Sequence, residues 1–420
     1  MKFIHCADIH LDSPLRGLEK YEGAPVSEIR AASRKAFQNV IDLALAQNAD
    51  FIIIAGDLFD GDWPDFNSGL FFISQMNRLR EVGIRAFIVR GNHDAESKIT
   101  RKLPFPENVH LFSHKKPETI IDDQLGIAIH GQSFSHPAVT DDLALAYPTR
   151  IKGLFNIGVL HTALTGREGH ARYAPCSIDT LHSKEYGYWA LGHVHQRERV
   201  DGDTYILFPG NLQGRHIKET GPKGCSLITA QDGEIERVEH LAQDVLRWET
   251  LEIDASEVAN QDELVERIQS GLKEQLQYAE GRTLAVRVRL FGQSSAHAAI
   301  SRRREHLQEE VRALALNCGN GDIWIEKILF ETSQQVDVEA LARREDPIGE
   351  LIRLIRSIQG SEKDLSDLSE TIQEFKRKLP LELREGKGAI DLDDPAFIRS
   401  ILTDVERTLI PQLIDTSSLP

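Results

Sequence analysis

In the first half of the chain, short apolar runs lead again and again into polar residues. Phe3-Ile4 precedes Asp8-Ile9-His10, Phe51-Ile52-Ile53-Ile54-Ala55 precedes Gly56-Asp57, and Ala86-Phe87-Ile88-Val89 precedes Gly91-Asn92-His93-Asp94. The second run is apolar without a break, as in a strand covered on both faces. Between the runs lie stretches with helical spacing. Ile29, Phe37, Val40, Ile41 and Ala44 share one side of a helix predicted over 28–47, with Ser27 as its N-cap. A second helix is expected over 67–82. Strand, helix, strand, helix, strand reads as a parallel α/β sheet.

Beyond Val109 the strands come faster. Ile127-Ala128-Ile129, Ile157-Gly158-Val159-Leu160, Tyr188-Trp189-Ala190-Leu191, Tyr205-Ile206-Leu207-Phe208 and Ser226-Leu227-Ile228 predict a second sheet packed on the first, with helices outside. Near Gln243 the pattern changes. Strand 248–253, helix 263–277, strand 284–290, helix 296–316 and strand 322–330 make a smaller α+β unit, and a polar stretch at 332–335 leads to a helical tail. The expected domains are therefore 1–243, 244–333 and 334–420.

In the tail, Leu365, Leu368, Ile372, Phe375 and Leu379 fall at spacings of three and four, a short heptad seam. Ile348, Leu351, Ile352, Ile355 and Ile358 form a second stripe, and Ile398, Ile401, Leu402, Val405 and Leu409 a third. A loop with Gly386 and Gly388 interrupts the tail. Two readings stay open: a private bundle, or a grip on a partner helix. The run Leu70-Phe71-Phe72-Ile73 exceeds one helix stripe and suggests either core packing or a homodimer face.

Composition narrows the class. The chain has 420 residues, 41% of them hydrophobic and 27% charged, which is ordinary for a soluble multi-domain protein. Its net charge of −16 argues against a protein that simply coats nucleic acid. It leaves room for an enzyme that meets phosphate through bound cations. Four cysteines (Cys6, Cys176, Cys225 and Cys318) form no CxxC pair, so the expectation is buried, reduced thiols rather than a thiolate metal site. No apolar run reaches the roughly 20 residues of a membrane span, and the chain opens on a strand rather than a leader. The expected setting is the cytoplasm, with no membrane.

The polar residues after the apolar runs carry the chemistry. Asp8, His10, Asp57, Asn92, His161, His193 and His195 supply carboxylates, imidazoles and one amide oxygen. That mixture suits two divalent cations. Paired cations need a shared anion, and Asp57, leaving a buried strand into a Gly-flanked loop, is the natural bridge. Asp8 with His10, and His193 with His195, are two residues apart, so each pair can face one way. Mn2+ or Fe2+ suits this set best, with Zn2+ and Mg2+ also open. His93 lies beside Asn92, where an imidazolium could stabilise developing charge or protonate a leaving oxygen, and Asp60 is read either as the residue that orients it or as a helix cap. The expected reaction is metal-hydroxide attack on a phosphoester. His130, ending a strand before Gly131, is read either as a core histidine or as a neighbour of the site.

These residues, in this order, resemble the calcineurin-like metallophosphoesterases. The resemblance assigns Asp8, His10, Asp57 and His195 to one metal and Asp57, Asn92, His161 and His193 to the other. It makes His93 the catalytic histidine and implies a two-sheet sandwich flanked by helices. Within that superfamily, Phe3-Ile4-His5-Cys6-Ala7-Asp8-Ile9-His10-Leu11-Asp12 and Gly56-Asp57-Leu58-Phe59-Asp60 resemble the SbcD nuclease family. Pro209-Gly210-Asn211-Leu212-Gln213-Gly214-Arg215-His216, followed by Glu219 and Gly221, is similar to its YhaO-like DNA repair exonuclease subgroup. The resemblance implies DNA as substrate, a capping domain, a helical region that binds an SbcC-like coiled-coil ATPase, and a homodimer. Archaeal and eukaryotic relatives often carry His where this chain has Asp60, which favours Asp60 as the residue that orients His93. Protein phosphatases continue this motif with Arg-Gly, whereas here Gly61-Asp62 follows, which counts against that activity.

From the residues alone, phosphoester chemistry is far more legible than DNA. Arg215 and His216 follow a turn and are the candidate DNA-backbone contacts, with a plain surface loop as the alternative. Arg302-Arg303-Arg304 reads as a solvated helix face. A small-molecule phosphodiesterase or pyrophosphohydrolase on the same site is the rival function. The appended domains and the tail weigh against it.

Overall fold

A computed structural model of the chain describes residues 1–13, 26–60, 67–96, 104–164, 174–200, 202, 204–335, 338–372 and 394–417. In chain order, the elements begin with β1 (Lys2–Cys6), α1 (Val26–Gln47), β2 (Phe51–Ala55), α2 (Asn67–Glu81), β3 (Arg85–Val89), the short α3 (Asn92–Glu96) and β4 (Val109–Leu111). Then come β5 (Glu118–Asp122), β6 (Ile127–Gly131), β7 (Phe155–His161), α4 (Ile178–His182), β8 (Tyr188–Gly192), β9 (Glu198–Val200), β10 (Tyr205–Phe208), β11 (Gly224–Gln231) and β12 (Glu234–Ala242).

These strands form two six-stranded sheets, ordered β12-β11-β1-β2-β3-β4 and β5-β6-β7-β8-β10-β9. Strands β1 to β4 run parallel, as do β6, β7, β8 and β10. The edges β12, β5 and β9 pair antiparallel. Successive side chains of a strand point to opposite faces, and here each face meets apolar cover. Phe3, Ile53, Phe87, Ile157, Val159, Tyr188 and Ala190 fill the layer between the sheets. Ile4, Ile52, Ile54 and Ile88 instead meet Phe37, Val40, Ile41, Phe72, Met76 and Leu79, which lie on α1 and α2. The outer face of the second sheet is covered likewise, with Leu160, Trp189, Leu191, Ile206 and Phe208 against Tyr147, Leu181 and Tyr186. The unbroken apolar run of β2 thus has its cause. The architecture is the expected helix-flanked, two-sheet metallophosphoesterase sandwich.

The chain divides into two units, Met1–Thr250 with Gly271–Arg287 and Arg312–Lys327, and Leu251–Ser270 with Val288–Val311 and Ile328–Pro420. The sandwich lies in the first. Further along the chain come β13 (Leu246–Asp254), α5 (Gln261–Tyr278), β14 (Thr283–Ser294), α6 (His297–Arg302), α7 (Arg304–Gly319) and β15 (Ile323–Gln334), with the three strands in one sheet ordered β13-β14-β15. The helix expected over 296–316 is therefore two helices. The break is at Arg303, whose backbone (φ −120°, ψ 30°) leaves the helical region inside the arginine triplet. The polar stretch 332–335, expected as a linker, is mostly the end of β15. Ser27 lies inside α1, and its hydroxyl donates to the Glu28 carboxylate instead of capping backbone amides.

In the second unit, α8 (Val338–Ala342) is followed by α9 (Pro347–Gly360), α10 (Glu362–Thr371) and α11 (Pro395–Ser417). Asp346 caps α9 by accepting from Gly349 N, and Pro347 takes the first helical position. Ile355, Leu365, Ile398 and Leu402 are buried together, and Leu351, Ile358, Leu368, Ile372, Ile401 and Val405 pack around them. All three stripes thus face one another, and the described part of the heptad seam is turned inward as a private bundle. Phe375, Leu379, Gly386 and Gly388 lie outside the described residues. On α2, Phe72 is buried and Phe71 meets Phe37, which leaves Leu70 standing out at 58% exposure.

His130 is a core histidine. It is buried, bonded to Thr119 and Asn156, and stacked on Tyr186. All four cysteines are free thiols. Among the described residues no helix is long and apolar enough to cross a membrane. Ile53 is wholly buried in the layer between the sheets. Ile53→Ala is expected to destabilise the protein by about 3 kcal/mol through lost transfer energy and a residual cavity, read by chemical denaturation.

Candidate metal centre

Parallel pairing fixes where the polar residues go. β1, β2 and β3 run the same way in one sheet, and β7 and β8 run together in the other. Their C-terminal ends deliver Asp8 and His10, then Asp57, then Asn92 and His93, then His161, then His193 and His195. Hydrogen bonds lace these ends together. Asp8 N donates to Gly56 O and His10 N to Asp57 O, each at 3.0 Å. Across the sandwich, His193 N donates to Asp8 Oδ2 at 3.0 Å, and His161 Nδ1 lies 3.0 Å from Ala55 O.

The backbone is strained here. Asp8 (φ 51°), His10 (46°), Asp57 (51°) and His193 (102°) are non-glycine residues at positive φ. Such a conformation costs roughly 1–2 kcal/mol per residue, and its clustering is typical of functional sites. Gly91 shows the same crowding: a Cβ there would collide with the Asp57 carboxylate and the His161 ring.

The ligand-bearing atoms fall into two adjoining groups. Asp8, His10 and His195 each offer an atom within 4.8 Å of the others, and Asp57, His161 and His193 do the same. In the first group His10 Nε2 and His195 Nε2 are 3.3 Å apart, and Asp8 Oδ1 lies 3.9 Å from His195 Nε2. In the second, His161 Nε2 is 3.0 Å from Asn92 Oδ1 and 3.4 Å from Asp57 Oδ2. That same Asp57 oxygen is 4.0 Å from His10 Nε2, so it stands between the groups. His161 and His193 meet edge to face, with centroids 5.1 Å apart. Nitrogen and oxygen donors at this spacing, without sulfur, fit two divalent cations. The donor set therefore accommodates the pair that a metallophosphoesterase fold implies.

Electrostatics agree. Burial alone would raise the Asp57 pKa, but His161, then His10 and His93, hold it well below the usual carboxylate range. Burial would lower His161, yet Asp57 and Asp8 push it up to about 9. Positive charge, as proton or as metal, is what this buried carboxylate requires.

Asp60 stands beside the groups. Its Oδ1 is 2.9 Å from His93 Nδ1 and 3.5 Å from His10 Nδ1, and its Oδ2 accepts from Ser13 Oγ at 2.5 Å. His10, Asp60 and His93 also lie close enough to hold a cation. The short Asp60–His93 bond argues for an orienting pair instead, because it directs His93 Nδ1 away from any metal. The hydrogen bond to Asp60 raises the His93 pKa against burial. His93 is 37% exposed, whereas His10 and His161 are buried.

Two supporting residues escaped the sequence reading. Asp94 is buried and accepts from Leu58 N, Phe59 N and Gly91 N, which ties the loop after β2 to the loop after β3. Burial, then repulsion from Asp57, raises it to about 6. Glu219 is buried too, with Oε1 2.7 Å from His195 Nδ1. The only available signals were Asp94's place in the GNHD string and Glu219's place in the 209–221 segment. Neither has a spacing that announces a role. Arg215 differs from expectation. It sits in the wall of the site at 19% exposure, with its guanidinium turned to Asp60 and Glu219. His216, at 55% exposure, faces outward.

The fold and donor set define a class. Residues 1–197 match the family described as calcineurin-like phosphoesterase, and residues 248–333 match the family described as the middle domain of the metallophosphoesterase YhaO. This is a metal-dependent phosphoesterase hydrolase, of a fold that implies two divalent metals. The chain is 37% identical to an uncharacterised metallophosphoesterase, YhaO, of Bacillus subtilis over 64% of its own length and 67% of that protein's. It is 30% identical to the DNA double-strand break repair protein Mre11 of Sulfurisphaera tokodaii, over 58% of this chain and 63% of that protein. It is 26% identical to the Mre11 of Saccharolobus solfataricus, over 48% and 51%. The matches thus span less than two thirds of both Mre11 proteins. The chain belongs to the YhaO-like family of calcineurin-like metallophosphoesterases, of the SbcD/Mre11 type.

Asp94→Ala would leave three buried amides without an acceptor. It is expected to cost about 3 kcal/mol or more by denaturant titration, since each stranded donor costs ~1–3 kcal/mol.

Proposed function

We propose that this protein is a dinuclear metal-dependent phosphodiesterase that cuts DNA, as exonuclease or endonuclease, in DNA repair. The observation that carries the phosphodiesterase reading is the position of Asp57 Oδ2 between the His10 and His161 imidazoles. Asp8, His10, Asp57 and His195 are the proposed ligands of one cation, and Asp57, Asn92, His161 and His193 those of the other. Mn2+ is the proposed metal, because imidazole-rich nitrogen and oxygen sites without thiolate suit it better than Mg2+. The step to DNA rests on similarity to two Mre11 proteins described as acting in double-strand break repair.

When bound, the cation pair supplies positive charge against the phosphoryl oxygens and makes water more acidic. The residues of the chain do the rest. Asp57 keeps the two positions adjacent. Asn92 adds an oxygen without adding charge. His93, held by Asp60 at Nδ1, offers a proton from Nε2 to the leaving oxygen, and the hydrogen bond to Asp60 favours its protonated form. Exposed His216 is the proposed contact to the DNA backbone.

The same reading takes 1–243 as catalytic domain, 244–333 as capping domain and 334–420 as the helical region that binds an SbcC-like coiled-coil ATPase. Because the described seam is buried in its own bundle, that contact would use the bundle's outer faces, where Leu354 is exposed. Leu70 on α2 supports a homodimer face. Free thiols support a cytoplasmic setting.

The test is hydrolysis of labelled single- and double-stranded oligonucleotides with Mn2+, beside a small phosphodiester. His93→Ala should slow DNA cleavage by about 10²–10⁴-fold, the usual contribution of a general acid, while metal analysis still finds two ions. Turnover of the small ester with no cleavage of DNA, with or without an ATPase partner, would move the assignment to a small-molecule phosphodiesterase.

A further inference from the structure

The segment 209–221 between β10 and β11 wraps His195. Asn211 N donates to the His195 carbonyl at 3.1 Å, and Lys223 Nζ donates to the same oxygen at 3.2 Å. Glu219 Oε1 takes the ring at 2.7 Å from Nδ1. Glu219 is itself held. Its Oε2 accepts from Asn211 Nδ2 at 2.9 Å and from Arg215 N at 2.7 Å, and its Oε1 lies 3.3 Å from Arg215 Nη2. Both Glu219 oxygens thus face donors, which suits a carboxylate. Arg215 Nη2 is also 3.3 Å from His195 Nδ1. With the proton on Nδ1, the ring donates to the nearer carboxylate, which leaves the Nε2 lone pair on the side of Asp8 and His10. The other arm of the guanidinium, Nη1, is 3.8 Å from Asp60 Oδ2. One planar cation thus touches the carboxylate behind His195 and the carboxylate behind His93.

We propose that Glu219 and Arg215 are positioning residues, with Glu219 fixing the tautomer and aim of His195 toward the first cation and Arg215 coupling that carboxylate to the Asp60–His93 pair. The inference rests on the dinuclear reading above. It assigns work to a segment whose role was otherwise limited to backbone contact. Carboxylates behind a metal-binding imidazole raise its basicity and fix its orientation, and their loss usually costs 10- to 100-fold in metal affinity. A lysine could not replace the arginine, since only a fork reaches two carboxylates at once.

The experiment is Mn2+ titration by calorimetry, with electron paramagnetic resonance at two equivalents. Wild type should bind two ions and give the signal of an exchange-coupled pair. Glu219→Gln should weaken one of the two sites by about 10- to 100-fold and give an uncoupled Mn2+ signal at the same loading. If Glu219→Gln does not fold, Glu219→Asp carries the same test, because it keeps the charge but draws it back by one methylene. Arg215→Ala should lower kcat on DNA about ten-fold with KM changed less than two-fold. Wild-type affinities and a coupled spectrum in the Glu219 variant would overturn this inference alone, whereas a wild type that binds no pair would overturn the dinuclear reading with it. A raised KM with unchanged kcat in Arg215→Ala would make Arg215 a substrate contact and overturn its positioning role.

Discussion

The Asp57 carboxylate is the constraint around which the site is arranged. It is buried and ionised, with Oδ1 accepting from His93 N at 3.0 Å and Oδ2 between two imidazoles. A lone carboxylate in that position would be very costly. The surroundings answer it from both sheets: His10 comes from the end of β1 and His161 from the end of β7. Neither sheet alone could supply both. The sandwich is therefore more than a scaffold beneath the centre, since its two layers each bring an imidazole to Asp57. Asp57 itself leaves β2 in a left-handed conformation, and the Gly56 and Gly91 backbones lie too close to His161 or Asp57 to admit a Cβ.

Burial is graded around that carboxylate, and the grading separates roles. Asp8, His10, Asp57 and His161 are buried, as suits groups that hold position. His93 is partly exposed and reaches the same carboxylate only through its backbone amide. Its ring answers instead to Asp60. A histidine tied to a carboxylate at Nδ1 and open at its other nitrogen can exchange a proton with something outside the protein. A histidine walled in on every side cannot. His5 marks the contrast: it is buried against Tyr188 and Leu191, its pKa lowered to about 3, and it stays neutral.

Much of this was legible in the sequence because parallel strands impose an order. An apolar run followed by a polar residue means a strand ending at one edge of a sheet, and Asp8, Asp57, Asn92, His161 and His193 all follow such runs. The continuous run of β2 announced cover on both faces. What stayed hidden depends on contacts between distant segments. Glu219 sits in a loop with no periodicity, and its partner His195 is 24 residues away. Asp94 looked like one more polar residue after a strand, yet it points backward to brace two loops. The break at Arg303 was hidden because Arg302, Arg303 and Arg304 are all acceptable helix formers, and only the backbone there shows where α6 stops. The tail stripes were visible, but amphipathic periodicity does not say whether the cover comes from the same chain or from another one.

The acidity of the chain then takes on a particular meaning. With a net charge of −16, the molecule as a whole repels a polyanion. The site adds Asp8, Asp57, Asp60 and Glu219 to that repulsion. Their charges are met locally, by His161 beside Asp57, by His93 and Arg215 at Asp60, and by Arg215 with Lys223 near Glu219. Among the described residues around the centre, little positive charge is left over for a substrate phosphate. Bound cations would then supply attraction that these residues do not, which would link metal loading to substrate affinity. In such a site a residue that aims one imidazole, the role proposed for Glu219, would bear on metal binding and on the attraction of phosphate alike.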